Sequence, residues 1–127
     1  MRPITAGNER HTLKPVIWIG SSRDDIRGLP PDVRRGFGRA LRIAQEGDRA
    51  ACAKPLREFP GAGVLEIIED YDSDTYRAFY TVRFANAIYL LHVFQKKSTH
   101  GIKTSRKDID LVKTRLSAAE RHSKGQR

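Results

Sequence analysis

Three apolar runs follow one another closely in the second half of the chain, and they constrain the fold more than any other feature. The runs are Val64 to Tyr71, Thr75 to Phe84 and Ala87 to Gln95. Each run is rich in β-branched and aromatic residues, and the breaks between them, Asp72-Ser73-Asp74 and Ala85-Asn86, have the composition of tight turns. Strands joined by such short connections pair antiparallel. The sequence therefore predicts a three-stranded antiparallel meander.

The first half of the chain supplies one strand and two helices. Residues 16–19 form a short β-branched and aromatic run that predicts a strand. The serines and aspartates of residues 21–25 have the spacing that starts a helix, which we expect to end near Gly28. Pro30-Pro31 then opens a second helix, in which apolar residues recur at helical spacing up to Gly47.

A last helix is expected after the basic segment 96–103, capped by Thr104 or Ser105. Its apolar stripe consists of Ile109, Val112, Leu116 and Ala119. The order is then β-α-α-β-β-β-α, an α+β domain with helices on one face of an antiparallel sheet and the other face free. We expect a flexible lead-in at 1–13, the domain at 14–120 and a basic tail at 121–127.

Charge is unevenly distributed along the 127 residues. The net charge is +9, and residues 94–127 alone contribute +7. This favours a polyanionic partner, either nucleic acid or an acidic protein. The alternative is a solvated basic tail without a partner.

Several classes of protein are disfavoured. No apolar run approaches the roughly 18 residues of a membrane helix, and no signal peptide begins the chain, so we expect a cytoplasmic protein away from membranes. The single cysteine, Cys52, excludes an internal disulfide. Neither a zinc-spaced Cys/His cluster nor a glycine-rich phosphate loop is found, and we expect no metal or cofactor.

The second run of the meander carries two arginines at strand spacing. Alternation places Arg77 and Arg83 on one face, while Tyr80 lies on the opposite, more apolar face. Two guanidinium groups projecting from a rigid strand suit phosphate, because their donors match its oxygens. The alternative is that they only keep an exposed sheet face soluble.

The end of the third run combines lysines with a histidine. Cleavage of a phosphodiester without a metal needs a base for the 2′-hydroxyl, cations for the phosphorane and an acid for the leaving oxygen. Lys96 and Lys97 supply cations, and His100 is either an acid or base or a solvent-exposed loop residue. His92 lies inside an apolar run and is expected to be a half-buried sheet residue.

Two residues of the meander have both a structural and a functional interpretation. Glu66 pairs with Arg77 or Arg83, or acts as a base. Tyr80 stacks on an unpaired base, as aromatic residues do in RNA recognition, or belongs to the core.

These motifs resemble a known family. The resemblance covers residues 14–120, and its most specific parts are the Tyr76-Arg77 strand and the Phe94-Gln95-Lys96-Lys97 strand end. Further matching stretches are 53–57, 61–67, 74–80, 89–98 and 101–104. The chain resembles the phage-derived Gp49-like branch of the RelE/ParE superfamily, which includes HigB-type toxins of type II toxin–antitoxin modules.

The resemblance implies a RelE-like microbial RNase fold and a metal-independent endoribonuclease that cuts mRNA on the ribosome and inhibits translation. It also implies a neighbouring helix-turn-helix antitoxin of the Xre/HigA type, with the toxin alone a monomer and the complex of higher order. The central strand arginine of the family corresponds to Arg77, and its basic pair to Lys96 and Lys97. The resemblance assigns no role to His100, which joins these three as an expected catalytic residue on its chemistry alone. The expected substrate-binding residues are Arg83, Lys103, Tyr80 and Glu66.

Two other functions stay open. A ParE-like protein would inhibit DNA gyrase by binding it without cutting nucleic acid, and the shared fold does not separate the two activities. A non-toxic RNA- or protein-binding remnant is the third hypothesis.

Overall fold

A computed structural model of the chain describes residues 13–96 and 104–125. The elements are β1 (Val16–Trp18), α1 (Ser22–Arg27), α2 (Pro31–Gln45), β2 (Ala53–Pro55), β3 (Val64–Tyr71), β4 (Asp74–Thr81), β5 (Ile88–Lys96) and α3 (Arg106–Gly125). The strands form one sheet in the order β1-β5-β4-β3-β2. Strand β1 runs parallel to β5 and the other pairs are antiparallel. The α+β class is confirmed, with one more strand than predicted.

The predicted meander is present as β3, β4 and β5. Asp72 and Ser73 join β3 to β4 with φ of 52° and 69°, the backbone that a two-residue type I′ turn requires. Strand β4 ends at Thr81, three residues earlier than predicted. The Thr81 hydroxyl accepts the Arg83 backbone N–H at 3.1 Å and donates to the Ala62 carbonyl at 3.4 Å. These local hydrogen bonds turn the chain out of the sheet.

Strand β2 was not predicted from the sequence. It pairs with β3 from Ala53↔Ile67 to Pro55↔Leu65 and lies at the edge of the sheet. Proline cannot donate to a strand ladder, so it is tolerated at an edge. Three residues that include a proline are too few to show the alternation that identifies a strand.

The sheet is covered on both faces, which differs from the expected free face. Helix α2 packs on the side of Ala78 and Tyr80, and we call this the α2 face. Helix α3 packs on the side of Phe79, Tyr89 and Leu91, the α3 face. Because strands β4 and β5 carry large apolar residues on both sides, each side needs a cover. The continuous run from Ile88 to Leu91 is the sequence signal for such a strand.

Arg115 fixes helix α3 against the sheet. Leu91 lies at a β-bulge in β5, and its carbonyl accepts Nη1 of Arg115 at 2.9 Å. Nη2 of Arg115 donates to Ser21 Oγ at 3.0 Å. The guanidinium lies so close to Gly20 that a Cβ there would be 2.7 Å from Nε, and Gly20 has φ of +59°. This glycine therefore permits both the turn and the arginine contact.

Helix α3 continues through Gly125, so residues 121–125 are helical rather than part of a basic tail. His122 Nδ1 lies 3.0 Å from the Tyr89 hydroxyl, which ties this last turn to β5. Residues 1–12 of the predicted lead-in lie outside the described residues. Among residues 13–96 and 104–125, no helix is long and apolar enough to cross a membrane.

Candidate functional site

Charged side chains gather on the α3 face where β5 ends, beyond the apolar part of that face. Strand alternation and register place Glu66 of β3, Arg77 of β4, and His92 and Lys96 of β5 on this face. Asp108, from the first turn of α3, joins them through His92. We call these five residues the charged cluster.

Arg77 and Glu66 form a buried ion pair at the centre of the cluster. Their residues are 6% and 4% exposed, and Nη1 of Arg77 donates to Oε2 of Glu66. Glu66 lies opposite Phe79 in the register, so the pair is diagonal across β3 and β4. The expectation that Glu66 pairs with Arg77 or Arg83 is confirmed for Arg77. The expectation that Arg77 projects outward with Arg83 is wrong, because α3 covers this face.

The ion pair forms the floor of a pocket of about 580 Å³. The lining residues are Lys54, Pro55, Leu56, Arg57, Glu58, Glu66, Arg77 and Thr104. Among the described residues Nε of Arg77 has no hydrogen-bond partner, although the atom is buried. A buried N–H without an acceptor is energetically costly, so this donor stands out from the paired groups of the sheet. We call this the arginine pocket.

Lys96 ends β5 beside the ion pair and is half-buried. Burial lowers the pKa of its ammonium group, and the charge of Arg77 lowers it further, while Glu66 and Asp108 act in the opposite direction. Lys96 therefore releases a proton more readily than an ordinary lysine, which suits proton transfer.

His92 holds the start of α3 in place. Its Nε2 lies 2.8 Å from Oδ1 of Asp108, and Oδ2 of Asp108 accepts the Ser105 hydroxyl at 2.6 Å. Ser105 Oγ in turn accepts the Asp108 backbone N–H at 3.1 Å, which confirms the predicted helix cap. His92 is a sheet residue as expected, but it is buried rather than half-buried. Through this chain of contacts, β5 positions Thr104 at the wall of the arginine pocket.

Tyr80 does not belong to the site. It is fully buried on the α2 face, so its ring cannot stack on a base, and its predicted role in substrate binding is wrong. Burial raises the pKa of its phenol to about 12, although the nearby charge of Arg49 opposes this.

The remaining predicted residues lie away from the arginine pocket or outside the described part of the chain. Arg83 is exposed beyond β4, with its guanidinium carbon 5.8 Å from the ring centroid of Phe84. Because β4 ends at Thr81, Arg83 does not continue the strand of Arg77. Lys97, His100 and Lys103 lie outside the described residues.

The cations in β2 and directly after it were not predicted from the sequence. Lys54 and Arg57 line the arginine pocket, yet neither was assigned a role. Their signal is weak: two cations flank Pro55 at a strand too short to detect, and only the family resemblance includes this stretch. The contact between Asp108 and His92 was not predicted either.

Fold and site together define a small α+β domain with a cationic pocket built on one face of its sheet. The family model described as "Phage derived protein Gp49-like (DUF891)" matches residues 24–117. This match covers more than half of the chain, which therefore belongs to the Gp49-like family, and it includes the whole charged cluster. The family is associated with the toxins of toxin–antitoxin systems. Neither the curated proteins nor the solved structures contain a match to the chain.

Proposed function

We propose that this protein is the toxin of a type II toxin–antitoxin system and that it cleaves mRNA on the ribosome. The observation that carries the proposal is the arginine pocket, where a buried guanidinium with an unpartnered Nε lies among further cations. The association of the family with toxins and the net charge of +9 support it. The HigB-type branch is part of this proposal.

In the proposed reaction the ribose 2′-oxygen attacks the adjacent phosphorus, while a base takes the 2′-hydroxyl proton. The bond to the 5′-oxygen breaks, that oxygen receives a proton, and a 2′,3′-cyclic phosphate remains. Arg77 binds the non-bridging oxygens and stabilises the phosphorane, because its planar donors match them and its charge is permanent. Glu66 orients Arg77, as their ion pair fixes the guanidinium on the pocket floor.

Lys96 supplies a second function beside the phosphate. Its lowered pKa fits the protonation of the leaving 5′-oxygen. Lys97 keeps its predicted role in holding the substrate, and His100 is the alternative to Lys96 as the proton donor. Glu66 stays a candidate for the base as well as a positioning residue.

The proposal includes an antitoxin. We propose that a helix-turn-helix protein of the Xre/HigA type binds this chain and neutralises it, supported by the association of the family with toxin–antitoxin systems. Co-expression with the product of the adjacent gene should restore growth, and the two proteins should co-purify.

Primer extension on a defined mRNA in a translating extract tests the activity. The native protein should produce stops within translated codons, only when ribosomes are present. Arg77→Lys keeps a charge opposite Glu66 but loses the planar donors, and we expect cleavage to fall about 100-fold or more. Arg34→Ala removes an exposed cation from α2, on the other side of the sheet, and should cleave normally.

The variant Lys96→Arg separates the role of Lys96 in binding from its role in proton transfer to the leaving oxygen. The variant keeps the cation, but arginine does not release its proton near neutral pH. We expect ribosome binding to persist while cleavage falls. Normal cleavage by Lys96→Arg would reduce Lys96 to an electrostatic role.

Other outcomes would decide between the remaining functions. Growth arrest with intact mRNA and a DNA-damage response would identify a gyrase inhibitor instead. Overexpression without any effect on growth would indicate a non-toxic remnant.

A further inference from the structure

We infer that a second pocket, at the β2 edge of the sheet, binds a nucleotide that flanks the cleaved phosphodiester. This inference deepens the proposed function and rests on it for the identity of the RNA. The pocket has a volume of about 780 Å³, which is in the usual range for sites that hold small organic ligands. We call it the edge pocket.

The wall of the edge pocket is apolar and includes one aromatic ring. Leu56, Phe59, Pro60 and Val82 are among the apolar residues that line it. Such a wall suits the flat face of a nucleobase, since every base presents a π-face that packs on apolar and aromatic side chains.

The charges of the edge pocket favour an anion. Among the described residues that line it, Lys14, Arg49 and Arg57 are cations and Asp48 is the carboxylate. None of the three cations is in an ion pair with another described residue. The Asp48 carboxylate accepts the Arg49 backbone N–H at 2.8 Å, so it is engaged locally. An apolar wall beside unpaired cations matches the two halves of a nucleotide, base and phosphate.

The edge pocket adjoins the arginine pocket. Pro55, Leu56 and Arg57 line both of them. An RNA strand whose phosphate contacts Arg77 can therefore follow the chain from β2 towards β3 into the edge pocket. Arg57 lies where the phosphate between the two nucleotides would pass.

The walls of the edge pocket are held by backbone contacts. Lys14 donates its N–H to the Gln45 carbonyl at 3.1 Å, and its own carbonyl accepts Gln45 Nε2 at 2.6 Å. On the opposite side, Val82 donates its N–H to the Gly63 carbonyl at 3.0 Å. Gly63 has φ of +67°, and a Cβ there would lie 3.2 Å from the Arg83 backbone nitrogen. The pocket is thus formed before any ligand binds, which reduces the entropy cost of binding.

Titration of the purified protein with adenosine 5′-monophosphate, followed by amide NMR, tests the inference. Ribose 5-phosphate serves as the control without a base. The nucleotide should shift amides of the edge pocket, such as those of Arg49 and Gly61, and bind at least 5-fold more tightly than ribose 5-phosphate. Equal affinity for the two probes would leave only an anion site and overturn the inference.

Two variants identify the contacts, and a third is the control. Phe59→Leu keeps apolar volume but loses the aromatic face, and we expect it to weaken nucleotide binding about 5-fold or more without unfolding the protein. Arg49→Ala should weaken binding of the nucleotide and reduce its salt dependence. Arg34→Ala removes the same charge from the distant surface of α2 and should change neither.

The cleavage assay separates failure of this inference from failure of the proposed function. If mRNA stays intact but the nucleotide binds as described, the edge pocket stands and the endoribonuclease does not. The inference is overturned if two results occur together. Arg49→Ala and Phe59→Leu cleave the mRNA at the same positions as the native protein, in an Arg77-dependent way, and the nucleotide does not shift the amide signals of the edge pocket. Loss of antitoxin binding in Arg49→Ala with unaltered nucleotide binding would assign the edge pocket to the antitoxin and overturn it too.

Discussion

The two faces of the sheet bury different chemistry. On the α2 face the side chains of α2 and three strands form an apolar core around Ala78 and Tyr80. On the α3 face an apolar half around Phe79 and Leu91 gives way to the charged cluster towards the end of β5. The same three strands therefore support two environments, because alternate residues point to opposite sides.

The difference between the two faces bears on why the α3 face buries the charges of Glu66 and Arg77. A buried ion pair loses hydration, and apolar residues of similar volume often stabilise a protein as well or better. Apolar packing on the α2 face shows that these strands can build such a core. The Glu66–Arg77 pair is therefore better explained by the proposed role of Arg77 in binding phosphate than by stability. The predictions below test this contrast between the two faces.

The largest expected effect follows from breaking the Glu66–Arg77 pair. Glu66→Ala leaves the buried Arg77 guanidinium without its counterion, and we expect the free energy of unfolding to fall by about 3–5 kcal/mol. The double variant Glu66→Leu with Arg77→Met removes both charges and should recover most of that loss, yet it should not cleave RNA. Urea unfolding of the three proteins measures these differences.

A double variant that is as unstable as Glu66→Ala, or less stable still, would contradict the prediction. It would mean that the pair itself stabilises the fold. The buried side chains of the α3 face would then stabilise the fold, as those of the α2 face do, although two of them are charged.

The contrast between the faces also explains what could be predicted from sequence. The meander, the second helix and the cap of α3 at Ser105 were predictable because each depends on local turn chemistry or on a regular apolar period. The covering of the second face by α3 was not predictable, since tertiary packing and not local sequence determines whether α3 packs beside α2 or on the opposite face of the sheet. The packing of α3 on that face also determines that Arg77 is buried rather than exposed.

Within the site, the contact between Glu66 and Arg77 was easier to predict than which side chains lie near the pocket. Glu66 and Arg77 lie on adjacent strands, so alternation alone made their contact a natural expectation. Tyr80 was misassigned because strand parity does not say which face holds a ligand. Lys54 was missed because it lies in a three-residue edge strand that has no periodic signal, and Arg57 because it follows that strand in a loop.

A second prediction concerns the tight contact of α2 with the sheet at Gly36. A Cβ at Gly36 would overlap the carboxyl of Glu69, whereas a Cβ at Gly38 meets nothing within 4 Å. Alanine in a helix interior is more favourable than glycine by about 1 kcal/mol, so Gly38→Ala should stabilise the protein by up to that amount. Gly36→Ala should lose this gain, because the Glu69 side chain must move away.

Combining Gly36→Ala with Glu69→Ala provides the check. With the carboxyl removed, Gly36→Ala should become stabilising, as Gly38→Ala is in the native background. Thermal unfolding of these variants gives the coupling, and equal stabilisation by Gly36→Ala and Gly38→Ala in the native background would show that α2 does not need the close approach.

A third prediction concerns the hydroxyl group on the α2 face. Tyr80 Oη is buried and has no hydrogen-bond partner among the described residues. Tyr80→Phe removes this unsatisfied group, and we expect it to leave stability unchanged or raise it by up to about 1 kcal/mol. RNA cleavage should be unaffected. A large loss of activity would restore the predicted role of Tyr80 in substrate binding.

The same variant checks the phenol by its titration. The pKa of Tyr80 is raised to about 12, so the folded state disfavours the ionised form. Its contribution to stability is present below pH 10 and is lost as the pH rises towards 12. Absorbance titration of the native protein should show one late phenol that is missing from Tyr80→Phe.

The smallest expected effect concerns Glu69, a half-buried carboxylate that lies close to α2. Burial raises the pKa of Glu69, although the charge of Arg39 opposes the change. A raised pKa means that folding favours the neutral acid, so its contribution is present below about pH 4.5 and is lost as the pH rises through the folded pKa. Glu69→Gln should therefore raise Tm at pH 7 by about 2 °C or less, and the difference should vanish below pH 4. A variant that is less stable at every pH would show that Glu69 makes a favourable contact, and the α2 face would then hold a charge for stability.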